Sequence, residues 1–114
     1  MTARVPERLQ VGPFAFTVTT DASAVARMRH EANDGRYAQT DLSHLQITVD
    51  AELPAGQVRD SMLHETLHAV IATAGGWPKE LSEEDAVRRF APLLLDTLRR
   101  NPHLVAFLTS EPEA

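Results

Sequence analysis

The sequence predicts an α+β domain in which a short β-sheet packs on a long helix and on a second helix that follows it. Three observations carry that expectation. Short β-like runs open the chain, a strictly alternating run lies near its middle, and from Pro54 onward apolar residues recur at helical spacing. The 114 residues read as one domain, 1–114, with no repeat, linker or low-complexity segment dividing them.

Each element has a local reason. Leu9-Gln10-Val11 and Phe14 to Thr19 flank Gly12-Pro13, the punctuation of a hairpin. Phe14, Phe16 and Val18 share one face by the period of two and are expected to meet the core. Asp21 suits the N-cap of a helix over about Ala22 to Ala32, with Val25 and Met28 inward and Asn33-Asp34-Gly35 as its stop. Arg36 to Ser43 is polar and is expected to be loop. Leu45 to Asp50 alternates strictly, with Leu45, Ile47 and Val49 on one side, and is the clearest strand. Pro54 fits the opening turn of a helix that carries Val58, Met62, Leu63, Leu67, Val70, Ile71 and Ala74. Gly75-Gly76 and then Pro78 end it in the expected order. Ser82 with Asp85 resembles a capping box, opening a helix to about Arg100 that Pro92 is expected to kink or divide. Asn101-Pro102 breaks the chain again, before a last short helix over His103 to Thr109.

Composition excludes several function classes. Sixteen acidic against eleven basic residues leave a net charge of −5, which disfavours nucleic acid as a partner. With no cysteine there is no disulfide, thiol nucleophile or thiolate-bound metal. No apolar run approaches the roughly 18 residues of a membrane span, and no apolar stretch follows the first charged residue as in a secretory signal. The expectation is a cytoplasmic protein without a membrane partner; oligomeric state is open.

Any metal site must therefore be built from His, Asp and Glu, and the chain has five histidines. Two of them fall in His64-Glu65-Thr66-Leu67-His68, an H-E-x-x-H motif in the middle of the long helix. Residues four apart share a helix face, so both imidazoles can approach one ion. Zinc suits such a pair, and Glu65, one residue after the first ligand, can take a proton from the attacking water without coordinating. The third ligand is left open by spacing. The long form of the motif needs Gly at Ile71 and His at Ala74, and has neither. Downstream lie the acids Glu80, Glu83, Glu84, Asp85 and Asp96, and the single later histidine is His103.

In this motif and its downstream acids the sequence resembles the gluzincin class of zinc metallopeptidases, in which a Glu on a following helix completes the site. It is most similar to small phage and actinobacterial members, including the metallopeptidase-like module that cleaves phage-type repressors. There the ligand Glu is followed by a small residue, then Phe-Ala, then a Leu pair. Counted from Glu84, Val87, Phe90-Ala91 and Leu94-Leu95 fall in step; counted from Glu83 they are off by one. The resemblance spans Leu45 to Leu108 and implies Glu84 as the third ligand, in a zincin-like domain with an active-site helix and a following ligand-bearing helix. Arg88 stands where the repressor-cleaving module carries Asn, and no DNA-binding region accompanies it, so the expectation is a generic minimal gluzincin.

The function so implied is a zinc-dependent metallopeptidase with metal ligands His64, His68 and Glu84 and with Glu65 as general base. Its partner would be an extended peptide or protein, paired backbone to backbone along the Leu45–Asp50 strand as the cleft rim. Tyr37, His44 and His103 are the available transition-state donors, Tyr37 being the foremost. Trp77 is expected to cap the core beside a helix end rather than wall a substrate pocket. Asp50, Asp60 and Asp96 are unranked candidates to orient a ligand imidazole. Two other classes compete with the peptidase: a weak or inactive zinc-binding module contacting a phage or host partner, and a metal-free helical interaction domain with structural histidines.

Overall fold

The computed structural model describes residues 4–32 and 37–110. The opening hairpin forms as its punctuation requires. Gly12, at φ 54°, turns β1 (Arg8–Val11) into β2 (Phe14–Thr19), antiparallel with Leu9 opposite Phe16. Phe16 and Val18 are buried as the alternation predicts, whereas Phe14, at the turn, is exposed. Asp21 caps α1 (Ala22–Ala32) by accepting from the Ala24 N–H at 3.2 Å, and Val25 and Met28 are buried. The expected stop at Asn33-Asp34-Gly35 lies outside the described residues, as does Arg36.

The segment expected to be loop is the main correction. Within it lies β3 (Ala38–Asp41), which pairs antiparallel with β4 (Gln46–Val49). Every β3 residue is half-buried, so no apolar alternation marks the strand. β4 is shorter than its alternating run, because Leu45 sits at φ 50° in the turn that enters it. Ile47 and Val49 are fully buried and carry the inward face.

Among the described residues the architecture is α+β, a four-stranded mixed sheet of order β1-β2-β4-β3 with four helices. β2 and β4 run parallel, and each outer strand is antiparallel to its neighbour. One face of the sheet packs Leu9, Val11, Phe16, Val18, Ile47 and Val49 against Val58, Met62, Ala69 and Val70 of α2 (Ala55–Thr73). Leu104 and Phe107 of α4 (Pro102–Leu108) close that core. The alternation of β3 and β4 turns Gln39, Asp41, Gln46 and Thr48 to the other face, toward α1.

α2 begins after Pro54, which occupies its N-cap, and ends in a Schellman turn. Gly76 N–H bonds Ile71 O at 2.8 Å and Gly75 N–H bonds Ala72 O at 3.1 Å, with both glycines at positive φ. α3 (Glu83–Arg100) is capped by Ser82, whose side chain accepts from Asp85 N–H. Pro92 does not divide it; α3 is assigned as one helix through that residue. Proline there removes one N–H in a helix otherwise held by its cap and by packing on α2. Trp77 is not a core residue either. It is 56% exposed and stacks on Phe90 of α3, ring centroids 5.2 Å apart.

Candidate metal centre

His64 and His68 lie one turn apart on α2, and their rings meet edge to face with Nε2 atoms 3.1 Å apart. Glu65 is turned inward instead. Its side chain is 7% exposed, against 64% for His64, and its Oε2 lies 3.9 Å from His64 Nε2. One donor atom from each of the three residues lies within 4.8 Å of the others, so the group could hold a metal ion. The separation suits the chemistry of the donors. Two nitrogens at about 2.0–2.1 Å from a tetrahedral ion stand roughly 3.3 Å apart. The same approach also satisfies one N–H···N hydrogen bond between neutral rings.

The helix alone does not build this site. Thr40 of β3 donates its hydroxyl to Glu65 Oε1 at 2.9 Å, joining the sheet edge to the helix across 25 residues of chain. Ala38, Gln39, Thr40 and Leu42 form one wall of a cleft of about 560 Å³ whose other wall is His64, Glu65, His68 and Ile71. The rim is therefore β3, and the expected rim strand, β4, lies one place inside the sheet. Thr40 escaped the sequence reading because its partner is remote and its strand carries no apolar pattern.

Among the described residues, β3 is also an edge strand of the sheet. Asp50 N–H bonds Tyr37 O at 3.0 Å, which makes Tyr37 and Asp50 a hydrogen-bonded pair in the β3–β4 register. By the alternation of antiparallel ladders, Gln39 and Asp41 then bond toward β4, and the N–H and C=O of Ala38 and Thr40 point away from it.

The remaining sequence candidates fall elsewhere. Glu84 is exposed on α3 with its Oε1 accepting from Arg88 Nε at 3.1 Å, and it is not in the His64–Glu65–His68 group. Glu83 is likewise exposed at the start of α3. Tyr37 is 49% exposed just before β3 and is absent from the residues that line the cleft. His44 bonds Asp41 at 2.8 Å, and both line a second cavity, beneath α1. That hydrogen bond holds the Asp41 carboxyl below its ordinary pKa. His103 lies on α4 beside Arg4 and Arg8. Asp50 bonds Arg29 at 2.5 Å and Asp96 pairs with Arg100 at 3.6 Å, so neither is engaged with a cluster imidazole. Trp77 is not among the residues lining the cleft, whereas its neighbour Gly76 is. Compared with known proteins, the chain matches no family model, no curated protein and no solved structure.

Proposed function

We propose that the protein is a zinc-dependent metallopeptidase. The observation that carries this reading is the convergence of His64, His68 and a buried Glu65 at the wall of a cleft whose opposite wall is an open strand edge. His64 and His68 would hold the ion, with Glu84 as the third ligand that the gluzincin resemblance implies. When bound, zinc supplies Lewis acidity, polarising a scissile carbonyl and acidifying water. Glu65 accepts a proton from the attacking water and passes it to the leaving amine. Its carboxylate is buried in the wall of the cleft, beside His64. An extended peptide would pair with the outward backbone of Ala38 and Thr40, so recognition rests on main-chain geometry more than on side chains. The expected partner is thus a peptide or unfolded protein segment.

A second reading is a zinc-binding module without hydrolysis. It is favoured by Glu84, which is exposed, is engaged by Arg88 through Oε1 and lies outside the His64–Glu65–His68 group.

Metal analysis of protein purified without a His tag tests the reading. The expected result is one zinc per chain, lost in His64→Ala and in Glu84→Ala. Digestion of unfolded casein then separates the two readings. Glu65→Gln is expected to keep the zinc and lose about 10²–10⁴-fold in rate, the usual range for a general base. A metal-free protein of unchanged stability sinks both readings, and equal digestion by wild type and Glu65→Gln points to a contaminating protease.

A further inference from the structure

We propose that Thr40 is a positioning residue that fixes the carboxylate of Glu65 relative to a peptide on the β3 edge; its bearing on catalysis rests on Glu65 being the general base. Three facts converge on this residue. Its hydroxyl lies 2.9 Å from Glu65 Oε1, while Oε2 is the oxygen 3.9 Å from His64 Nε2. The two oxygens thus stand in different surroundings, Oε1 hydrogen-bonded to the sheet and Oε2 nearer the imidazole. The hydroxyl is the donor and the Glu65 Oε1 oxygen the acceptor. The terminal torsion of a Glu side chain is broad and roughly two-fold, and a single donor fixed on one side removes that freedom.

The second fact is that the donor is itself stiff. Threonine is β-branched and restricted at χ1, and Thr40 stands opposite Ile47, which is fully buried in β4. The hydroxyl is therefore positioned by the sheet, not by the helix that carries Glu65. The competing acceptor, the Glu65 main-chain carbonyl, is farther, at 3.4 Å. Third, the main chain of this same residue faces the open edge. A peptide that adds to β3 would bond the Thr40 backbone while the Thr40 side chain bonds the base, so one residue sets the distance between them.

The test has two arms. In metal-free protein, the urea midpoint is measured for Thr40→Val in the wild-type and in the Glu65→Met backgrounds. The expected result is a loss of midpoint with Glu65 present that is absent in the Glu65→Met background, because only the first leaves a buried carboxylate without its donor. Equal shifts in both backgrounds overturn the proposal. In the zinc-loaded protein, with a fluorogenic peptide taken from the casein digest, Thr40→Val is expected to lower kcat roughly 10-fold at unchanged KM, and Thr40→Ser to restore it. A raised KM with unchanged kcat overturns it, since that is loss of uniform binding. If wild type binds no zinc and cleaves nothing, the peptidase reading fails, and the metal-free arm still decides whether Thr40 fixes Glu65.

Discussion

The two edges of the sheet are treated differently. At β1, the outward backbone of Gln10 is covered by a side chain that imitates a strand: Asn101 Oδ1 accepts from Gln10 N–H at 2.8 Å, and Asn101 Nδ2 donates to Gln10 O at 2.7 Å. Asn101 is buried and also bonds Thr97 O, so its carboxamide is held in register from α3. At β3, no further strand pairs among the described residues, and Thr40, whose backbone faces that edge, donates its hydroxyl to Glu65. An unpaired edge invites association with other chains and is usually blunted. Here one edge is blunted and the other lies open beside three side chains that could hold a metal ion.

Proline substitution probes the open edge most strongly. Gln39→Pro removes an N–H directed at β4 and, by leaving its acceptor unpaired, should cost about 1–3 kcal/mol. Ala38→Pro removes an outward N–H and should cost less than about 1 kcal/mol. Urea denaturation ranks the two, and the reverse order would show that the wrong residues have been assigned to the edge. At the closed edge, Asn101→Ala leaves the Gln10 amide and carbonyl without their partner and should cost about 1–3 kcal/mol, with zinc content unchanged. Casein digestion sharpens the contrast. On the proposed peptidase function, Ala38→Pro should slow it about 10-fold by removing one main-chain bond to an added peptide strand, whereas Asn101→Ala should leave the rate per folded molecule alone.

The smallest effect belongs to the turn that ends β3. His44 lowers the Asp41 pKa, so this pair stabilises the fold above the ordinary carboxylate pKa, and that contribution is lost as pH falls through the depressed value. In His44→Ala the Asp41 carboxyl should titrate nearer its ordinary value, read by carboxyl NMR, with cleavage at neutral pH unchanged. An unmoved Asp41 titration would assign the shift to something other than His44.

What the sequence made legible was local. The H-E-x-x-H spacing, the Ser82 cap, the glycine stop of α2 and the hairpin glycine each depend on residues within a turn or two, and each is found. β3 was illegible because Ala-Gln-Thr-Asp has neither apolar alternation nor strong β propensity; β4 and α2 make it a strand. Trp77 was misjudged for a related reason, since its partner Phe90 lies on another helix. Asn101 was read as a chain breaker, which it is, at the N-cap of α4, but its bonds to Gln10 span 91 residues. Among the candidate site residues, the three that lie within about one turn of α2, His64, Glu65 and His68, cluster, whereas Glu84 and Tyr37 lie outside that group.

The span of the Asn101 clamp bears on how the chain folds. Gln10 leaves the ribosome long before Asn101, and the sheet's first edge stays uncovered until the last two helices dock. Contacts of such long sequence separation slow folding, because loop-closure entropy must be met before they form. An intermediate with β1 bare would offer strand-pairing groups at both ends of the sheet, and folding in a crowded solution would then compete with self-association through β1.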